Sequence, residues 1–214
     1  MAVPMKPGYG PTLGQLLAPR WRAASPWKRR AVWAVCALLA VLVAAGVLTL
    51  LDSTYSHGGR VPFSFSYRGL YRTRPEPGGF VRIERRAGGR LEYSFAVNPL
   101  VLPPYSGDLA AELPVYADRY IAGLRGRYRD FVLRGEGKTR VNTVPAYDVL
   151  YTATVEGREM YGRDALLLPE RAGAREGVGI VMLTAPGASR QVDGPNEVGT
   201  VGLLQRPLRS FTLG

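Results

Sequence analysis

One histidine, His57, and one cysteine, Cys36, are all that 214 residues offer of the two side chains most used for metal binding and nucleophilic catalysis. A single cysteine excludes a disulfide within the chain, so the stability of any globular part comes from packing. One histidine, with no acidic triplet at ligand spacing, excludes a zinc or calcium site of the usual kinds. A serine nucleophile would lack a base near it, since His57 stands in a polar stretch, DSTYSHGGR. Lysine is scarce as well. Arginine supplies 25 of the 28 basic residues, a bias that reflects a GC-rich genome rather than a recognition surface. Acid is missing altogether from residues 1–51, which carry Lys6, Arg20, Arg22, Lys28, Arg29 and Arg30.

That asymmetry divides the net charge of +11, leaving +5 for residues 52–214. More than half of the excess therefore belongs to the N-terminal quarter. A diffuse +5 gives no nucleic-acid footprint.

Residues 31–51, AVWAVCALLAVLVAAGVLTLL, lack both charge and proline. As a helix they would reach about 31 Å, close to the hydrocarbon thickness of a bilayer. Lys28, Arg29 and Arg30 abut the run, which predicts a cytoplasmic N-terminus and an extracytoplasmic C-terminal part at the cell membrane. Trp27 and Trp33 at one end and Tyr55 beyond the other are placed as headgroup anchors beside Lys28, Arg29 and Arg30. A cleaved signal peptide is the competing reading. The apolar run exceeds a usual h-region, the basic region before it is long, and no A-x-A-like site follows Leu51. Cys36, within the run, reads as a small apolar residue.

Residues 1–30, with five prolines among Gly and Ala, read as a disordered cytoplasmic tail. Residues 52–60 read as a linker, and residues 61–214 as one domain large enough for a real core. Within it period-two patterns predict strands. Phe63, Phe65 and Tyr67 alternate with serines. Val81 and Ile83, then a Gly88–Gly89 turn, then Leu91, Tyr93, Phe95 and Val97 predict a hairpin. A helix follows Asp108, with Leu113, Tyr116, Tyr120, Ile121, Leu124 and Tyr128 on one face and Pro114 expected in its first turn. This aromatic stripe reads as core laid on a sheet rather than as a ligand box.

Strands are then predicted over 131–140, 147–155, 158–168 and 178–184, joined closely enough to be antiparallel neighbours. A loop is expected over 169–177, a short helix over 196–204 ended by Pro207, and an edge strand or docked tail at Leu208, Phe211 and Leu213. The order describes an α+β domain, an antiparallel sheet packed against helices, behind a single transmembrane helix.

Residues 139–171, TRVNTVPAYDVLYTATVEGREMYGRDALLLPER, carry a basic turn, Pro145–Ala146–Tyr147, a tyrosine-bearing strand, a hairpin and a second long strand. This pattern resembles the central meander of the Mog1/PsbP-like fold. Phe63 to Tyr67 is similar to the opening Phe-Ser-Phe strand of that family, and Pro207 to Phe211 to its closing segment, so the resemblance spans about residues 61–214. It implies an α/β/α sandwich and a binding module. Mog1 engages a small GTPase, PsbP docks on photosystem II, and bacterial relatives include exported, membrane-attached proteins. It carries no catalytic residues across, and the anchor and tail of this chain have no counterpart in Mog1 or PsbP.

Catalytic look-alikes are few. Gly135-Glu136-Gly137-Lys138-Thr139 imitates the end of a phosphate-binding loop, but Val132 stands where that motif needs glycine, and a strand continues where it needs a helix. Glu156, Glu159 and Asp164 could supply a carboxylate pair. The expectation is therefore a non-enzymatic, membrane-anchored adaptor without metal or cofactor, touching the bilayer through residues 31–51 and a protein partner outside the cytoplasm. Its alternatives are a sensor of a small apolar or anionic ligand, held between helix and sheet, and a carboxylate-dependent envelope hydrolase.

Overall fold

A computed structural model describes residues 25–50, 52–103, 109–168 and 175–214. Most of the expected tail (residues 1–24), Asp108 and residues 169–174 of the expected loop lie outside the described residues. The chain forms two compact units, residues 1–50 and residues 51–214.

The first unit holds helix α1 (Pro26–Leu50). Its 25 residues rise about 37 Å. Trp27, Trp33, Leu38, Leu39, Val41 and Leu42 are each more than half exposed, so the first unit gives these apolar groups no cover. The side chains of residues 28, 29 and 43–50 lie outside the described residues. Among the described residues no helix is long and apolar enough to cross a membrane.

The second unit is built on two antiparallel sheets. The larger has seven strands in the order β3-β4-β5-β9-β8-β7-β6. These are β3 (Tyr71–Thr73), β4 (Val81–Ala87), β5 (Arg90–Val101), β6 (Arg129–Val141), β7 (Val144–Val155), β8 (Arg158–Leu167) and β9 (Glu176–Thr184). The predicted hairpin is β4–β5 and the predicted meander is β6–β7–β8–β9. The smaller sheet, β1-β2-β10, joins β1 (Ser53–His57), β2 (Phe63–Tyr67) and β10 (Thr212–Leu213). Helix α2 (Leu109–Arg127) covers part of one face of the large sheet, while the small sheet and helix α3 (Gln205–Arg209) cover the other. The coarse α+β expectation holds. One flanking layer, however, is a three-stranded sheet with a five-residue helix, not the helical layer of an α/β/α sandwich.

Three expectations differ from the structure for local reasons. The stretch 52–60 is not a linker, because Ser53–His57 pairs with β2 from Ser53↔Tyr67 to His57↔Phe63. Its own alternation places Tyr55 on Phe63 and Phe65, with ring centroids 5.9 and 5.6 Å apart, and His57 on Phe80 at 4.4 Å. Pro114 lies inside α2, not in its first turn, and having no N–H it leaves the carbonyl four residues earlier without its helical donor. The expected helix over 196–204 is only a 3-10 turn, Pro195–Glu197. Gly199 and Gly202 follow with φ of 77° and 70°, a conformation no helix contains. Pro207 consequently falls within the first turn of α3, where its missing N–H costs least.

Candidate ligand cleft

Side chains alternate across the large sheet, so one face receives Phe95, Val97, Ile180 and Met182 and the other receives Ser94, Ala96, Asn98 and Val181. The first face is closed by aromatic packing. Phe65 meets Phe95 at 5.0 Å, and Phe211 meets Phe63 at 5.6 Å. Among the described residues the second face is covered where α2 lies on it. Leu113, Ala117, Ile121 and Leu124 form the buried stripe of that helix, in one cluster with Val149, Tyr151, Leu166 and Leu183.

Along the edge of this cover runs a cleft of about 220 Å³, between α2 and the β5–β9 part of the sheet. Tyr116, Tyr120 and Arg127 line it from the helix side, Asn98, Leu100, Gly179 and Val181 from the sheet, and Glu76 to Gly79 from the β3–β4 loop. That loop is a tight turn, with the Gly79 N–H donating to the Glu76 carbonyl at 2.9 Å. A smaller recess of about 20 Å³, lined by Arg82, Ser94 and Tyr128, shares Glu76, Asn98, Arg127 and Val181 with the cleft.

Beneath the cleft lies Asp164 of β8, fully buried. The Tyr120 hydroxyl donates to its Oδ2 at 2.6 Å and the Tyr151 hydroxyl to its Oδ1 at 3.0 Å. Burial pushes the carboxyl up to about 7, against the opposing pull of the two phenols and of Arg127. The same burial, with Asp164 beside them, drives the Tyr120 and Tyr151 hydroxyls well above their ordinary range. Tyr128 stacks on Tyr151 at 5.8 Å, and burial raises its hydroxyl too. Gly162 makes this arrangement possible: it stands opposite Tyr151 in the β7–β8 register, and a Cβ there would come within 2.3 Å of the tyrosine ring.

Beside the cleft a string of charges crosses the sheet. Glu76 pairs with Arg82 at 3.7 Å, Arg82 with Glu84 at 3.1 Å, Glu84 with Arg86 at 2.8 Å and Arg86 with Glu156 at 2.7 Å. Arg86 holds the Glu156 carboxyl below its usual range by hydrogen bonding.

The carboxylates named from sequence are not brought together. Glu156 sits in the β7–β8 turn on Arg86, Glu159 is exposed, and Asp164 is buried on the face opposite to that of Glu159. The acid pair required for a hydrolase is therefore not formed by these three. Gly135 to Thr139 lie within β6, as strand.

Among the expected headgroup anchors, Trp27, Arg30 and Trp33 are exposed on α1. The side chains of Lys28 and Arg29 lie outside the described residues. Tyr55 packs within the second unit: its hydroxyl donates to the Phe80 carbonyl at 3.3 Å, and Arg72 lies over its ring at 5.0 Å. It serves the second unit's core because β1 is a strand of that unit. Asp164, with Tyr120 and Tyr151 around it, is the set that sequence reading missed. The signal was the face Met160, Gly162, Asp164, Leu166, Leu168, an acid in the middle of an apolar alternation.

No protein-family model matches the chain, and no curated protein matches it. Solved structures do. Cyanobacterial PsbP (CyanoP) from Synechocystis sp. PCC 6803 is 14% identical, with TM-score 0.48 over 76% of this chain and 92% of that one. The Ran-binding protein Mog1p of Saccharomyces cerevisiae is 14% identical, with TM-score 0.46 over 76% of this chain and 95% of that one. A protein of unknown function from Pseudomonas aeruginosa, PA94, is 20% identical, with TM-score 0.35 over 56% and 84%.

Proposed function

We propose that this protein is anchored in the cell membrane by a single helix and presents a non-enzymatic binding domain outside the cytoplasm, as an adaptor for another protein. The observation that carries the reading is the surface of α1, where Leu38, Leu39, Val41 and Leu42 are all more than half exposed. Apolar groups in such density need a lipid or protein cover. The sequence favours lipid, because residues 31–51 are free of charge and are preceded directly by Lys28, Arg29 and Arg30. For the domain, the supporting feature is β6, a 13-residue strand that among the described residues pairs only with β7, at the edge of the large sheet. Its outer edge offers unpaired main-chain groups to an added strand, the mode by which many domains take an extended peptide.

The test is fractionation with site-specific labelling. The full chain is expected in the carbonate-resistant membrane pellet, and the double variant Leu39→Arg, Leu42→Arg is expected to leave it, each arginine costing about 2.5–3.5 kcal/mol at a span's centre. In a Cys36→Ala background, Thr139→Cys should react with an impermeant maleimide in intact cells, and Gly10→Cys only after permeabilisation. Recovery of the unaltered chain in the soluble fraction defeats the anchor; labelling at position 10 alone in intact cells defeats the orientation.

A second reading has its own observation. The cleft beside α2 supports, as the alternative to an adaptor, a sensor of a small ligand, and its chemistry narrows what that ligand is.

A further inference from the structure

The mouth of the cleft carries two opposite charges, Arg127 and Glu76, which attract each other through space but form no ion pair within 4.0 Å. Arg127, exposed at the end of α2, has no described carboxylate within 4.0 Å; its hydrogen-bonding neighbour is Tyr128. Among the described residues Glu76, on the facing loop, is ion-paired only with Arg82, at 3.7 Å, and Arg82 stands closer to Glu84, at 3.1 Å. Asp164 below is fully buried, with each oxygen accepting one hydroxyl, and does not reach the mouth. Between the two charges the wall is apolar, from Leu100, Tyr116 and Val181.

A ligand that satisfies all three features carries a carboxylate, an ammonium and an aliphatic body. Size restricts it further: a cavity of about 150 Å³ takes benzene, so one of about 220 Å³ takes roughly nine heavy atoms. We propose that this cleft binds a free aliphatic α-amino acid of leucine's size. Its carboxylate sits on the Arg127 guanidinium, its ammonium on the Glu76 carboxylate and its side chain against Leu100, Tyr116 and Val181. The planar guanidinium can hold a carboxylate through two parallel hydrogen bonds, and Gly179 keeps the floor open to the side chain. The proposal rests on the small-ligand reading of the cleft and not on the anchor.

Calorimetric titration of the full chain in detergent with three probes tests it: leucine, 3-methylbutylamine and 4-methylpentanoate, which share one body and differ in charge. Leucine is expected to bind at least about tenfold more tightly than either analogue. Arg127→Met should reduce leucine to the level of the amine without changing the amine, and Glu76→Gln should reduce it to the level of the acid without changing the acid. Both positions are exposed, and an unchanged melting temperature certifies that the variants fold. Equal affinity for leucine and either analogue, or indifference of leucine to both substitutions, overturns the amino acid while leaving a ligand cleft. Absence of binding by all three at about 10 mM, an affinity weaker than roughly −3 kcal/mol, overturns both the proposal and the small-ligand reading. Neither result touches the fractionation outcome.

Discussion

Arg163 and Asp164 are adjacent on β8, both buried, and of opposite charge, yet they point to opposite faces of the sheet and are satisfied by different means. On the face covered by the small sheet, the Arg163 guanidinium donates to Asp148 at 2.6 Å and to the Val198 carbonyl at 3.2 Å. The ion pair joins β8 to β7, and the bond to Val198 ties the residue after the 3-10 turn to the sheet. On the face under α2, Asp164 has no described cation within pairing distance, and burial pushes its carboxyl up to about 7 against the pull of the two phenols that hold it. The closed face stabilises a charge by pairing it. The half-covered face suppresses a charge by burying it, and it is also the face that keeps a cleft.

The contrast predicts unlike responses to substitution. Asp148→Ala strands Arg163 as a buried, uncompensated cation and should destabilise the domain by about 3–5 kcal/mol, read as a fall in the urea midpoint. A loss below about 1 kcal/mol would mean that water reaches Arg163, making the two faces alike.

On the other face the expected signature is pH-dependent. In the unfolded chain an aspartate titrates near 3.9, and in the fold Asp164 titrates at about 7. Between those values the native state keeps a proton that the unfolded chain has released. The contribution of this group is therefore complete below about pH 4 and is lost as the pH rises through 7, by at most about 4 kcal/mol. Asp164→Asn removes the linkage. Urea unfolding at about pH 4.5, 6 and 7.5 should show the variant gaining on the native chain as pH rises; parallel curves would place the carboxylate in contact with solvent.

Gly162→Ala addresses the packing that isolates Asp164. Its methyl would meet the Tyr151 ring at 2.3 Å, so the ring must move off Asp164, at a cost of about 1–3 kcal/mol. The titration of Asp164 should move with it, followed by carboxyl NMR. A stability loss without that movement would show that the sheet shifts and the ring stays.

Much of this fold was legible because period-two alternation survives in the sequence wherever a strand has one buried face. The hairpin β4–β5 and the meander β6–β9 are examples; of the expected closing edge strand only Leu213 lies in β10, while Leu208 lies in α3 and Phe211 before the strand. The stretch 52–60 was not: STYSH has only Tyr55 as a large apolar residue, and it becomes a strand because β2 offers an open edge. The helix expected over 196–204 failed because two glycines adopted left-handed backbone, a choice their type permits but does not announce. Of the cleft, the helix-and-sheet setting and the tyrosine stripe were visible. The link between Tyr120 and Asp164, 44 residues apart, was not, since charged positions on a strand are read by default as facing water.

By itself the sequence determined the division of the chain, with an acid-free, apolar N-terminal quarter and an alternating, strand-rich remainder, because composition and periodicity are properties of single segments. It also determined which residues are chemically able to titrate, pair or pack. Only the tertiary structure decided which do so together. Burial and partner are set by elements that meet from distant parts of the chain, so Arg163 found a carboxylate, Asp164 found two tyrosines, and Arg127 and Glu76 were left facing an open cleft.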